Sequence, residues 1–408
     1  MNSLPPSTAG ARSRGTIVTT LGLTQIMAWG SSYYLPAVIA PAVAADTGWP
    51  FPWVIGSLSL GLLVAGLISP RVGAAIERHG GRTTLAFSAA CLGVGQAVLA
   101  ASPNLAVFVV GWLVMGFGMG AGLYDAAFGT LGRLYGRNAR STITSLTLFG
   151  GFASTACWPI SAFLLDAFGW RGVCLVYAAI QLLVALPVYL LVLPRGVAAQ
   201  NSVPAAATPE TGLAPRSLPL MATLAASITL AAVISATLSV HLLTVLQSTG
   251  LALGAAVGLG ALVGPSQVGA RAVEMAIARY HHPIWTKLAS VTFVVLGVAA
   301  LWTGLPVLPV ALALYGAGIG LESIARGTLP LALFGAPGYA KLMGRLAMPS
   351  LIAQAAAPSV GALLLEHVGA RGLLSVLLGL ALVNVALVAA LFAFQRSSSR
   401  PVSTTAPS

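Results

Sequence analysis

Long apolar stretches alternate with short polar breaks along the whole chain. Asp, Glu, Lys and Arg are absent from residues 15–45, 47–70, 83–124, 141–165, 172–194, 217–270, 288–321, 346–365 and 372–395. One helical pass of a bilayer takes ~20 apolar residues, so several of these stretches are long enough for two. Turn signals at Ser102-Pro103-Asn104, Ser248-Thr249-Gly250 and Gly304-Leu305-Pro306 divide them. The pattern predicts an all-α membrane protein with twelve transmembrane helices, at 17–44, 53–76, 83–101, 105–132, 141–165, 172–194, 218–244, 252–278, 288–303, 306–334, 342–365 and 372–394.

Composition agrees: 57% of the 408 residues are hydrophobic and 7% charged, which excludes a soluble globular domain. The net charge of +12 does not point to nucleic acid, because of where the basic residues fall. Arg12, Arg14, Arg78, Arg82, Arg133, Arg137, Arg140, Arg195, Arg216, Arg279, Lys287, Lys341, Arg345, Arg396 and Arg400 lie on one side of the twelve-helix arrangement, and only Arg171 and Arg371 on the other. The positive-inside rule then makes both termini cytoplasmic. The first span is too long for a secretory signal and lacks its small-residue cleavage site. Cys91, Cys157 and Cys174 show no CxxC spacing and read as buried thiols, and no metal or cofactor site is expected.

The chain also contains two copies of one unit. "GMGAGLYDAAFGTL" (118–131) aligns without gaps onto "GAGIGLESIARGTL" (316–329), and "LLDAFGWRG" (164–172) onto "LLEHVGARG" (364–372). Equivalent points lie six helices apart, an even number, so the copies are parallel repeats, as expected of a carrier. The second match sets Asp166 with Arg171 against Glu366 with Arg371, as structural pins at the outer helix ends. The domains are a cytoplasmic tail (1–16), a six-helix bundle (17–194), a Pro- and Ala-rich cytoplasmic linker (195–217), a second six-helix bundle (218–394) and a cytoplasmic tail (395–408).

"GAAIERHGGR" (73–82), between helices 2 and 3, resembles the loop signature of the major facilitator superfamily, filled here by Gly73, Glu77, Arg78, Gly80 and Arg82. The resemblance implies the major facilitator fold, with helices 1, 4, 7 and 10 lining a central cavity. "TGWPFPWVIGSLSLGLLVAG", and "LYGRNARSTITSLTLFGG" followed by "FGWRG", are similar to the monocarboxylate-porter-like branch, which implies a small organic anion and often a proton. Gly264 stands before Pro265-Ser266 where that branch carries a basic residue, and Arg271 lies nearly two turns further on.

Six ionisable residues fall within or near the spans: Arg71, Asp125, Arg271, Glu274, Glu322 and Arg326. A charge at mid-bilayer costs at least ~2.5 kcal/mol, so each needs a partner or a cavity. Spacing allows intrahelical pairs for Glu322 with Arg326 and for Arg271 with Glu274, and Arg71 and Arg271 are within reach of the headgroups. Asp125 has no basic residue within four positions. The repeat and the resemblance together set it opposite Arg326, as a coupled pair. In helix 1, Gln25, Trp29 and Tyr33 recur every four residues and form a candidate substrate-lining face with Asp125, Arg271, Glu274, Glu322 and Arg326. In helix 7, His241 reads as a satisfied hydrogen-bonder.

No P-loop, HExxH or carboxylate cluster is present, so an integral-membrane enzyme is disfavoured. The expectation is a monomeric secondary transporter of a bacterial inner membrane, working by alternating access. It is proton-coupled and carries a small organic anion such as a monocarboxylate, with proton-driven efflux of amphipathic drugs as the alternative.

Overall fold

The computed structural model describes residues 13–195, 217–304 and 307–398. Most of the expected linker, residues 196–216, and parts of both tails lie outside these, as do Arg12, Arg216, Arg400 and residues 305 and 306. The chain forms two compact units, Met1–Asn201 and Ser202–Ser408.

The first unit contains α1 (Arg14–Gly30), α2 (Pro36–Thr47), α3 (Phe51–His79), α4 (Gly81–Ala101), α5 (Leu105–Gly122), α6 (Tyr124–Tyr135), α7 (Ala139–Gly150), α8 (Ala153–Ala179) and α9 (Leu186–Val192). A π-helical stretch, Ile180–Ala185, joins α8 to α9. The second contains α10 (Ser217–Gln247), α11 (Leu253–Gly260), α12 (Val263–Ile277), α13 (Pro283–Thr303), α14 (Leu308–Phe334) and α15 (Tyr339–Ser398). Eight runs of described residues are long and apolar enough to cross a membrane. Two of them, Leu105–Val192 and Tyr339–Gln395, have 88 and 57 residues, too many for one pass at 1.5 Å per residue. Phe163, Leu183 and Leu191 are 69%, 74% and 73% exposed, as suits side chains solvated by lipid rather than water.

Turn chemistry acts where the sequence suggested. Asn104 caps α5, its Oδ1 accepting the Val107 N–H at 3.0 Å. The long α8 and α15 are each interrupted by one glycine, Gly169 (φ 66°, ψ 175°) and Gly369 (φ 70°, ψ −179°). This backbone region is accessible essentially to glycine alone. The two glycines are equivalent in the repeated "LLDAFGWRG" and "LLEHVGARG", so the repeat extends to matching backbone angles.

Glycines in α5 and α14 let neighbouring helices approach closely. Gly116 and Gly120 lie against Gly61 and Ala65 of α3, and Gly118 against Leu92 of α4; Gly316 and Gly320 lie against Val263 and Gln267 of α12, and Gly318 against Val294 of α13. Ser88 Oγ donates to the Gly118 carbonyl at 2.6 Å, and Ser290 Oγ lies 2.9 Å from the Gly318 carbonyl. The structural equivalence is therefore Gly116, Gly118, Gly120 with Gly316, Gly318, Gly320, two residues out from the ungapped alignment. The helix also breaks between this ladder and Asp125, so counting along the repeat does not transfer the depth of Asp125 onto α14.

The outer-end pins are also rearranged. Arg171 pairs with Asp46 of α2 at 2.6 Å rather than with Asp166, which is exposed. It stacks 4.2 Å from the Trp170 ring centroid, while Arg371 stacks over Trp302 of α13 at 5.2 Å. Asp46 lies past the predicted end of span 1. The Trp170 indole N–H, followed by the Arg171 guanidinium, holds its carboxyl below the usual carboxylate value.

Candidate functional site

In the N-terminal unit, the predicted first and fourth helices are each broken in mid-course. α1 ends at Gly30 and resumes as α2 at Pro36, and α5 gives way to α6 through Leu123 in extended conformation (φ −74°, ψ −169°). Breaks free backbone carbonyls, which must find donors inside a bilayer, and two wholly buried glutamines supply them. Gln25 Nε2 donates to the Gly122 carbonyl at 2.5 Å, while the Ala126 N–H goes to Leu123. Gln96 Nε2 of α4 donates to the Ser31 carbonyl at 2.6 Å, and Gln181 Nε2 reaches Ser31 Oγ at 3.0 Å.

This corrects the role expected of Gln25. At 0% exposure it clamps the α5–α6 break and does not share an open face with Trp29 and Tyr33. The period of four also ends at Gly30, so Tyr33 follows Trp29 through the turn rather than along a helix. The two rings still meet, with centroids 5.4 Å apart, and Trp29 also packs on Tyr34 at 6.1 Å and Tyr124 at 5.0 Å; Trp158 touches Tyr34 at 6.2 Å. Trp29 Nε1 is buried with no hydrogen-bond partner among the described residues. Asp125, next to Tyr124 in the first turn of α6, lies beside this aromatic group in the chain and is partly buried.

In the C-terminal unit the charged side chains reach across to neighbouring elements. Lys287 of α13 is 1% exposed; its Nζ contacts Glu322 Oε1 of α14 at 2.5 Å, with Ser290 Oγ 3.0 Å from Oε2. Thr286 donates to Glu274 Oε1 at 2.7 Å, and His281 Nε2 lies 3.4 Å from Oε2. Arg271, 5% exposed, donates through Nε to the Gly320 carbonyl and through Nη2 to Gln267 Oε1, both at 3.3 Å. Arg326 Nη1 donates to Ser350 Oγ of α15 at 3.2 Å.

Three expectations change here. Lys287, counted only among the basic residues of one side, is buried in the helix packing near the start of α13 and paired with Glu322. Glu322 meets Lys287 and Ser290 of α13, and Glu274 meets Thr286 of α13 and His281 of the preceding loop, where helical spacing suggests Arg326 and Arg271. Arg271 is buried against α14, where headgroup reach had been possible. Asp125 and Arg326 belong to different units, and their expected coupling rests on the repeat and the resemblance. His241 behaves as read, with Nε2 2.8 Å from the Pro358 carbonyl.

The loop signature joins α3 to α4. Gly73 is buried, Arg78 exposed and Glu77 and Arg82 partly buried; Gly80 takes φ 83°, and Gly81 abuts Thr130 of α6. Among the described residues no cluster of His, Cys, Asp and Glu is arranged to hold a metal.

Long apolar helices, several broken in mid-course, and a buried interhelical ion pair place the chain among polytopic membrane proteins. The family is shown directly, since the model of the Major Facilitator Superfamily matches residues 21–277. The chain belongs to that superfamily, whose members are transporters. Comparison with curated proteins finds no match. Among solved structures, it is similar to the human organic anion transporter MFSD10 (TETRAN), with a TM-score of 0.74 and 18% identity over 93% of this chain and 100% of that chain. It is also similar to a bacterial homologue of the iron transporter ferroportin in the outward-facing state (TM-score 0.73, 15% identity, 92% and 99% covered). The proton:xylose symporter XylE gives 0.67 and 12% identity, with 91% and 94% covered. At these identities the likeness is one of fold.

Proposed function

We propose that the protein is a proton-coupled secondary transporter that carries a small organic anion, such as a monocarboxylate, by alternating access. In this reading it is a monomer with twelve passes of a bacterial inner membrane, and both termini are cytoplasmic. The observation that carries the anion reading is Lys287. With it, the C-terminal unit holds three cations, Arg271, Lys287 and Arg326, on helices that pack together, the first two buried. A carboxylate substrate is the ligand that such a group of cations suits. Protonation of Glu322 releases the Lys287 ammonium to a substrate carboxylate, and deprotonation draws it back, so proton and anion move together. MFSD10, an organic anion transporter, shares the fold.

The test is a thermal-shift screen of the purified carrier, followed by uptake into liposomes under an imposed pH gradient. A carboxylate at ~100 times its dissociation constant stabilises by ~2.7 kcal/mol, and its uptake is driven by an inward proton gradient. Stabilisation by lipophilic cations, with none by carboxylates, refutes the reading. One observation favours that outcome as a second reading, drug efflux: the rings of Trp29, Tyr33, Tyr34 and Tyr124 beside Asp125 suit an amphipathic cation through cation–π contact.

A further inference from the structure

A cavity of about 340 Å³ opens on the N-terminal unit among α3, α4 and α5, lined by Ile68, Arg71, Val72, Thr83, Phe87 and Phe117. Its walls are apolar apart from Arg71 and the threonines at the start of α4. Phe87 and Phe117 are 51% and 42% exposed, so the groove opens to the surroundings of the bundle. Arg71 is exposed, and among the described residues no carboxylate lies within ion-pair distance of it. It stands twenty residues after Phe51, where α3 begins. At 1.5 Å per residue that is ~30 Å, the thickness of the hydrocarbon layer. A helix that enters at Phe51 therefore brings Arg71 to the far hydrocarbon edge, and α3 continues to His79 with Arg78 in its last turn.

We infer that this groove binds an anionic phospholipid of the surrounding bilayer, its phosphate on Arg71 and one acyl chain along Phe87 and Phe117. A cation at the hydrocarbon edge lies level with the headgroup phosphates and attracts an anionic one, and the apolar recess beside it suits a hydrocarbon chain. A phospholipid supplies both in one molecule. A free phosphate lacks the chain, and a zwitterionic lipid brings a cationic headgroup toward Arg78 and Arg82. Basic pockets between helices at the charged end of a bundle are suited to anionic headgroups.

The experiment is native mass spectrometry of the full chain, purified in neutral detergent and titrated with phosphatidylglycerol, with phosphatidylcholine, and with glycerol 1-phosphate as competitor. Wild type retains phosphatidylglycerol in preference to phosphatidylcholine, and glycerol 1-phosphate does not displace it. Arg71→Gln lowers retention about fivefold, the loss of one cation's attraction to an anionic lipid, and Arg71→Lys keeps most of it. Ala75→Phe, which fills the groove and leaves Arg71 in place, lowers retention as well; it carries the test if Arg71→Gln does not fold. Equal retention of the two lipids, displacement by glycerol 1-phosphate, or wild-type phosphatidylglycerol binding by Ala75→Phe overturns the proposal.

Discussion

Removing Lys287 tests the central feature of the C-terminal unit. Its ammonium lies 2.5 Å from Glu322, with side-chain exposures of 1% and 14%. Breaking a buried pair from one side strands the other charge, at ~3–5 kcal/mol. The exposures decide which single change is worse. Lys287→Met leaves Glu322 with some solvent access and with Ser290 still 3.0 Å from Oε2, so its cost falls near the lower figure, about 3 kcal/mol. Glu322→Leu strands a lysine with almost no access to solvent and falls near the upper, about 5 kcal/mol. Replacing both by apolar residues of similar volume leaves no buried charge, and the double variant Lys287→Met, Glu322→Leu is expected within ~2 kcal/mol of wild type. The assay is equilibrium unfolding in mixed micelles, followed by tryptophan fluorescence across the four members of the cycle. Additive costs, giving a double variant ~8 kcal/mol less stable, would show that the pair does not interact and would remove the basis for counting Lys287 among the interior cations. Transport separates stability from function, because the stable double variant still loses proton-driven accumulation if the pair couples proton to substrate.

Three further outcomes follow from the N-terminal unit and the repeat. Gln25→Leu leaves the Gly122 carbonyl buried without its donor and costs ~1–3 kcal/mol in the same unfolding assay; a cysteine at position 25 stays unreactive toward a water-soluble thiol reagent, and rapid labelling there would restore Gln25 to an open face. Alanine at Gly169 or Gly369 costs ~1–3 kcal/mol from backbone conformation alone, since a Cβ meets nothing within 4 Å at either site; Gly379→Ala, in an equally open helical position, is neutral or stabilising by up to ~1 kcal/mol, and equal effects at all three sites would refute the assignment. The Asp46 carboxyl is held below its usual value by Trp170 and then Arg171, so its contribution is present above the unfolded-state value of ~3.9 and is lost as pH falls through the lower folded value. The melting difference between wild type and Asp46→Asn is thus level above about pH 4 and closes below it, and a difference that grows on acidification contradicts the pairing.

The helices and the repeat were legible because they depend on properties carried residue by residue. Apolar length marks a pass of the bilayer whatever the tertiary context, and a glycine needed for a backbone angle recurs wherever the repeat reuses that angle, as at Gly169 and Gly369. Lys287 was hidden for the opposite reason. It follows His281, His282 and Pro283, a polar turn from which a lysine ordinarily reaches the headgroups, and only packing against α14 shows that its ammonium turns toward Glu322. One signal was available: Ser290 stands three residues after Lys287, on the same helical face, and Glu322 is an interior acid that needs such a face.

The helix breaks set the sharper limit on reading this chain. Periodicity gives the face of a residue only while the helix continues, and α1 stops at Gly30, between Trp29 and Tyr33. The sequence around the break, "AWGSSYYLP", has no internal proline before Pro36, and its small polar residues are compatible with a continuous membrane helix. What makes the break stable lies in Gln96, 65 residues away, whose amide takes the Ser31 carbonyl, and likewise Gln25 takes the Gly122 carbonyl from 97 residues away. A buried glutamine in a bilayer helix is therefore better read as a donor in search of a freed carbonyl than as a substrate contact. By that rule Gln25 and Gln96 point to breaks in their neighbours, while the Trp29 indole N–H, which has no partner among the described residues, is a donor that the proposed transport reading would assign to substrate.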